Sequence, residues 1–585
     1  MLLLNKHDGF SRQVGNPGEM DAKRASRPVQ SVYDWLTRWA EAKPNAPAIA
    51  EWRDDQRNQW LAYADVARLV GEIAGGMRQW VKRGDRVMLV LPNGVDFYCS
   101  FIACSAIGAV AVPSPTPNAG RAMAFSERLA DIADDCQPAL VVTQPEWAGA
   151  IADVMRGRCP TVTREAVLGA AKPGGGPPPT ESFPVALLQY TSGSTRRPRA
   201  ISVTHESLHA NCSQAAEAYT ETPADVGVTW VPLYHDLGLN TGVTRPLFSG
   251  YPSVLLRPAD FVKKPLTWLR AIETCGGTFS SAPNFAYDLC VRKVSRPRAA
   301  ELNLSRWRVA RNAGEVVRAD TVERFTEHFA VAGFAANALC TGYGLAEATL
   351  SVSTCTPAVR PLRLTVRRAD LQQGVVDVVP GPVRPDAPVQ SLLSSGTPLS
   401  GTQVRAGDGH GRIGPISIRG PQVLSGNKPD HDTQSRTPAD ADGWHETGDL
   451  GFIFDGHLFV VGRSDDTVIY HGRNFYLADV VALCDGIEGL RPGRLVPFVV
   501  RDEDIPADTG CIVVELRPGA EPDAEVLAAI AAEIRRRLLS TLEFFITQVV
   551  FVSDGTLPIT TSGKLRASET KRRFEAGSLS VLATL

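Results

Sequence analysis

The chain has 585 residues, 44% of them apolar and 21% charged, enough to bury a large core divided among several domains. Its 61 Lys and Arg nearly balance 63 Asp and Glu, leaving no global field for gripping nucleic acid or an anionic membrane. The 11 cysteines are scattered, and the closest pair, Cys99 and Cys104, is not at metal-ligand spacing, so neither a zinc site nor a disulfide framework is expected.

The opening "MLLLNKHDGF" has too few consecutive apolar residues for a secretory signal, and residues 1–28 as a whole read as a flexible extension. Strand-like runs then alternate with helical ones. "RVMLVLP" (86–92) precedes "YCSFIACSAIGAVAV" (98–112), which is too short to span a bilayer and reads as a buried helix feeding a buried strand. "ALVVT" (139–143) reads as the next strand. The alternation predicts an α/β fold with mainly parallel sheets, in a soluble, cytoplasmic protein without stable membrane insertion.

"KPGGGPPPT" (172–180) forms a flexible connection before the strand "VALLQY" (185–190). Directly after it comes "TSGST". Backbone N–H groups and the hydroxyls of Thr191, Ser192, Ser194 and Thr195, with Gly193 between them, can converge there on an anion. The Walker pattern is absent, which argues against a P-loop kinase or ATPase. Residues 354–395, rich in proline and arginine, break the rhythm and read as an insertion packed on the surface. A last unit follows Arg463, with strands at "LVPFVV" and "CIVVELRP" and a helix over "EVLAAIAAEIRRRLL". Leu527, Ile530, Ile534 and Leu538 share one face of that helix.

Seven further stretches follow in order: "WVPLYHDLGLNTG" (230–242), "SAPNFAYDLCVRKV" (281–294), "RNAGEVVR" (311–318), "TGYGLAEATL" (341–350), "HETGDLGF" (445–452), "GRSDDTVIYHGRNFY" (462–476) and "LPITTSGKLR" (557–566). In this order and spacing the chain resembles the adenylate-forming superfamily, and most closely its fatty acyl-AMP ligase branch. The resemblance implies a large multi-subdomain N-terminal domain (29–461, with 354–395 as the branch-specific insertion). A small, mobile α+β C-terminal domain (462–585) would follow.

By the same resemblance Glu347 would hold Mg²⁺, Tyr343 would stack on adenine between Gly342 and Gly344, and Gly314 and Glu315 would lie along the nucleotide. Asp449 would accept from the ribose hydroxyls with Arg463 beside it, Lys564 would be the mobile catalytic lysine, and Asp465 would be the hinge. His235 and Tyr234 would stand where the acyl carboxylate enters, and Asn284, Phe285 and Tyr287 would line the acyl tunnel. The implied cosubstrate and ion are ATP and Mg²⁺, and the partners a fatty acid and a holo acyl carrier protein.

Where relatives have glycine, lysine and glycine, this chain has Arg196, Arg199 and Ala200. Arg199 keeps the charge and gains a planar fork for phosphate oxygens. Val316 and Leu477 stand where proline is common. An acyl-CoA synthetase and a non-catalytic acyl- or carrier-binding homologue are the competing readings. The retained Glu347, Asp449 and Lys564 favour a working adenylating enzyme.

Overall fold

The computed structural model describes residues 9–15, 30–53, 59–117, 122–171, 183–191, 199–384, 387–424, 440, 442–500, 509–520, 522–560 and 564–585. The connection at 172–180 lies outside them, as do residues 192–198 of the anion loop.

Two mainly parallel sheets carry the first part of the chain. In one, Arg86–Val90 lies between Val110–Pro113 and Leu140–Thr143, and the hairpin of Val185–Thr191 with Arg199–Thr204 closes one side. After Arg86 the run "VMLV" is apolar throughout because both of its faces are covered. Val87 and Leu89 enter one core cluster, Met88 and Val90 another.

The second sheet has nine strands. In it Gly227–Thr229, Phe279–Ala282, Val309–Asn312 and Leu339–Gly344 run parallel as neighbours. Their carboxyl ends deliver "YHD", "PNF", "AGE" and "YG" to one rim, the side on which open α/β sheets place their ligands. The fold class predicted from the alternation is therefore found, and it explains why the chemistry-bearing motifs follow strands.

A third, antiparallel sheet contains Gln403–Ala406, Gly414–Arg419, His445–Phe454 and His457–Arg463. Two short strands from the predicted loose extension join it. Phe10–Ser11 pairs with Ile453 and Phe454, and Gln13–Val14 with Val404 and Arg405. The expectation of a flexible segment over 1–28 thus does not hold for residues 9–15. Phe10 anchors them, its ring 4.9 Å from that of Phe454 and 6.0 Å from that of Phe452.

Beyond Arg463 a hairpin (Thr467–Tyr470, Arg473–Tyr476) leads to the helix Leu477–Cys484. A four-stranded sheet follows: Leu490–Val500, Thr509–Leu516, Gln548–Val552 and Val581–Thr584. The helix Ala524–Leu542 packs on it through Ile530, Ile534 and Leu538, with Leu527 partly buried, so the predicted face is the observed one. All 11 cysteines are free thiols. Among the described residues no helix is long and apolar enough to cross a membrane.

Residues 354–395 are more than a surface addition. Their strands Arg363–Arg367 and Val389–Leu393 pair with each other, and Leu364, Val366, Leu371 and Val376 pack against Phe452, Phe459 and Tyr476. Composition hid this, because four apolar side chains at spaced positions suffice to seat a proline- and arginine-rich segment.

Trp268 is fully buried in the large domain, its ring 5.2 Å from Trp307 and 5.6 Å from Phe261, with Nε1 donating to Ser280 Oγ at 2.9 Å. Trp268→Ala is expected to cost about 3–5 kcal/mol. No tryptophan lies beyond Trp444, so tryptophan fluorescence reports the large domain alone. Its urea midpoint should fall, while hydrogen exchange of Ile512–Val514, in a separate core, stays unchanged.

Candidate active site

The end of the site around Tyr343 and Asp449 is built from two sheets. Tyr343 is the next-to-last residue of the strand Leu339–Gly344 and is 8% exposed. Its hydroxyl donates to Asp449 Oδ2 at 2.5 Å. Asp449 stands opposite Arg463 across an antiparallel pair, with Arg463 Nε 3.8 Å from Asp449 Oδ1. Burial pushes the Asp449 carboxyl above its ordinary range, while the Tyr343 hydroxyl, Arg463 and Lys564 pull it back. A fixed acceptor of this kind suits a vicinal diol. The glycines around Tyr343 have causes inside the protein: a Cβ at Gly344 would sit 1.8 Å from Leu350 O, and one at Gly342 would meet Arg311 Nε and Ser353 O at 3.2 Å.

Lys564 arrives from the small domain. Its backbone N–H donates to Thr560 Oγ1 at 3.0 Å and Thr560 N–H to its carbonyl at 2.7 Å, which fixes the turn that carries it. Its charge reaches four carboxyls, Asp236, Glu315, Asp449 and Asp466, each raised first by burial and lowered in part by Lys564. Among the described residues it forms an ion pair with none of them. Asp465 is exposed just after the strand His457–Arg463, and Ser464 Oγ donates to Gly448 O at 3.0 Å. Glu347 is half-buried in the 3₁₀ turn Ala346–Ala348, and its carbonyl accepts from Leu424 N–H at 3.0 Å.

On the acyl side the predicted residues separate. His235 caps the helix Asp236–Leu239, its ring 4.6 Å from that of Tyr234, whose phenol burial pushes up to about 12. Phe285 is 38% exposed and its N–H donates to Glu315 Oε1 at 2.6 Å, tying the acyl motif to the nucleotide motif. Asn284 and Tyr287 are withdrawn. Asn284 donates to Thr321 Oγ1 and accepts from Asn312 Nδ2 and Arg318 N–H. Tyr287 is fully buried, bonded to Arg311 O at 2.9 Å and packed on Phe325. Both belong to the buried face of the helix Asn284–Lys293, which turns inward.

Comparison with known proteins fits this arrangement. A family model described as AMP-binding enzyme matches residues 36–426. The medium-chain-fatty-acid–[acyl-carrier-protein] ligase JamA of Moorena producens is 31% identical, over 89% of this chain and 90% of its own. The long-chain-fatty-acid–AMP ligase FadD26 of Mycobacterium bovis is 32% identical, over 94% and 97%. A solved structure from work on the fatty acyl-adenylate ligases of E. coli and L. pneumophila superposes with a TM-score of 0.83 at 29% identity, covering 94% of this chain and 98% of the other. The chain belongs to the AMP-binding enzyme family. It is an adenylate-forming ligase of the fatty acyl-AMP branch.

Of the ligase's anion loop, Thr191 ends one strand and Arg199 begins the next, paired across the hairpin; Ser192, Gly193, Ser194, Thr195 and Arg196 lie outside the described residues. Ala200 is an ordinary extended residue opposite Tyr190. Leu477 opens a helix at the position where proline is merely favoured, so the departure breaks nothing there. Sequence reasoning missed Asp236, although it stands beside His235 in a quoted motif, and Arg311, which opens another. It also missed Arg128 on the helix Ala122–Cys136. Burial, and then the facing Arg566 of the small domain, lower the Arg128 pKa. Only Arg566 carried a signal, two residues past Lys564.

Because burial raises the Asp449 carboxyl, the folded state holds a proton more tightly than the unfolded one, and this group costs stability as pH rises through the window above 3.8. Asp449→Asn should therefore melt higher than wild type at pH 7, by a few degrees. The gap should close as pH falls towards the ordinary carboxylate range, and nucleotide binding should be lost. Thermal melts with and without ATP measure both.

Proposed function

We propose that the ligase activates a fatty acid with ATP and hands the acyl group to the phosphopantetheine thiol of a holo acyl carrier protein. What supports this reading is the Tyr343–Asp449 hydrogen bond at the strand ends, with the charge of Lys564 from the small domain acting on the Asp449 and Glu315 carboxyls. A carboxylate is a poor electrophile. Its oxygen attacks the α-phosphorus, the bond to the β-phosphate breaks and pyrophosphate leaves. Two anions must be brought together, and an ammonium between carboxylate and α-phosphate favours the transition state over the separated reactants.

Asp449 would hold the ribose, Tyr343 the adenine edge of the site, and Thr191 and Arg199 stand at the two ends of the loop that would face the phosphates. His235 and Tyr234 would meet the incoming acid and Phe285 its chain. No cluster of three or more potential metal ligands occurs among the described residues. That suits an ion held chiefly by phosphate oxygens and water, with Glu347 as the protein's one carboxylate contribution. Mg²⁺ bound there would neutralise phosphate charge. In the second half-reaction the thiol sulfur attacks the acyl carbon and AMP leaves as the carbon–oxygen bond breaks.

The joint between the insertion and the small domain supports the carrier protein over CoA as acceptor. Arg368 Nη1 donates to Thr541 O at 3.0 Å, Gln372 Nε2 to Leu542 O at 2.7 Å, and Gln390 Nε2 to Asp479 Oδ1 at 2.9 Å. Gln372 is 6% exposed, so its bond is shielded from water. These contacts resist the rotation that a CoA-using synthetase completes.

Pyrophosphate release across a series of fatty acids tests the first half-reaction; no release with any acid would remove the proposal. Lys564→Ala should lower adenylation by about 100-fold or more without shifting the melt. Gln372→Ala combined with Gln390→Ala should leave adenylation within about twofold and raise thioester formation on free CoA by about tenfold. Those contacts restrain the domains rather than touch substrate. Parallel assays with CoA and holo carrier protein measure that ratio.

A further inference from the structure

Lys564 is exposed, and its side chain is long and free to rotate, so the place of its ammonium depends on the backbone beneath it. That backbone belongs to a pair of hairpin arms. Ile559 and Leu565 face each other in an antiparallel bridge, and Arg566 N–H donates to Pro558 O at 2.9 Å. The two bonds between Thr560 and Lys564 continue the pairing. The first arm springs from Leu557, which is buried in the core on one face of the small domain's sheet. A carboxylate holds Leu557 there.

Glu515 is the next-to-last residue of the strand Thr509–Leu516 and is 1% exposed. Cys511 and Val513 of that strand point into the same apolar core as Leu557, and alternation along the strand puts Glu515 on their face. A carboxylate in such a place is costly unless its oxygens are answered. Oε1 accepts from Leu557 N–H at 2.9 Å, and Oε2 accepts from Arg491 Nη1 at 3.2 Å. Arg491, on the neighbouring strand Leu490–Val500, pairs in turn with Asp554, three residues before Leu557. The turn after the strand Gln548–Val552 is thus gripped twice, at Asp554 through its charge and at Leu557 through its amide. Glu569, also buried in the small domain, is by contrast answered by Arg572 and Arg573 of its own helix.

We infer that Glu515, held by Arg491, is a positioning residue for adenylation that fixes the root of the hairpin arms presenting Lys564. This rests on the proposed role of Lys564 in that half-reaction. A charge-assisted bond to a backbone amide is stronger than a neutral one, so arms clamped in this way pivot little. The ammonium they carry then searches a smaller volume for the carboxylate and the α-phosphate. Glu515, Arg491, Asp554 and Leu557 all belong to the small domain, so the clamp travels with the lysine in any domain movement.

The two half-reactions separate this role from general support of the fold. In adenylation the ammonium lies between a carboxylate and the α-phosphate; in transfer that carboxylate has already become an acyl group, and no such pair is left to bridge. Glu515→Gln keeps an acceptor for Leu557 N–H but loses the charge that holds Arg491. It should lower the adenylation kcat by about 10- to 100-fold. KM for ATP and fatty acid, and transfer from a supplied acyl-adenylate to the holo carrier protein, should each stay within about twofold. Hydrogen exchange of the Leu557, Lys564 and Arg566 amides should quicken, while that of the helix Ala524–Leu542 stays unchanged. Unchanged adenylation in Glu515→Gln, slowed adenylation with wild-type exchange at those amides, or equal losses in both half-reactions would each overturn the assignment. If Glu515→Gln does not fold, Thr560→Val takes its place, since it removes the acceptor of Lys564 N–H without touching the core. The same split between half-reactions is expected there, and wild-type adenylation in it would overturn the assignment. Wild-type enzyme that makes no acyl-adenylate would instead overturn the proposed function, so the two failures are distinguishable.

Discussion

Four acidic side chains share a crevice whose burial works against their charge, and the cation that relieves them is carried by a different domain. Asp236, Glu315 and Asp449 come from the large domain and Asp466 from the turn between His457–Arg463 and Thr467–Tyr470, and the charge of Lys564 acts on all four. The electrostatics of the crevice thus draw on both domains. The crevice has this character because parallel strands end together: their carboxyl termini concentrate polar loops where no helix covers them.

The insertion ties those two domains together. Its hydrogen bonds reach carbonyls at the end of the helix Ala524–Leu542 and the Asp479 carboxyl, while its apolar side chains are keyed into the antiparallel sheet. Carbonyls at a helix end are orphan acceptors, so donors from Arg368 and Gln372 meet a need the helix already has. A segment that satisfies one domain and is buried in the other couples them mechanically.

Much of this was legible in the residues. The strand–helix alternation gave the parallel sheets, because "VMLV" and "LVVT" are apolar on both faces. The motif order named Tyr343, Asp449 and Arg463, which a hydrogen bond and an ion pair join in the structure. What stayed hidden has physical reasons. Asn284 and Tyr287 sit in a motif that reads as pocket wall, and which face of a ten-residue helix turns inward is decided by Phe325 and Thr321, far away in the chain. Arg311 looks like any surface arginine until its strand is found at the centre of a nine-stranded sheet. The two strands within residues 9–15 are too short for any periodicity to announce them; they exist because partner strands offer hydrogen bonds.

Those two short strands also guard the molecule against itself. Gln13–Val14 covers the flank of Gln403–Ala406, whose backbone would otherwise present an unpaired row of donors and acceptors to solvent. A shortened or heavily tagged amino terminus that displaces this cover leaves a template on which a second molecule can add a strand. Aggregation of such forms would then be an edge effect, arising some distance from a catalytic centre that is itself intact.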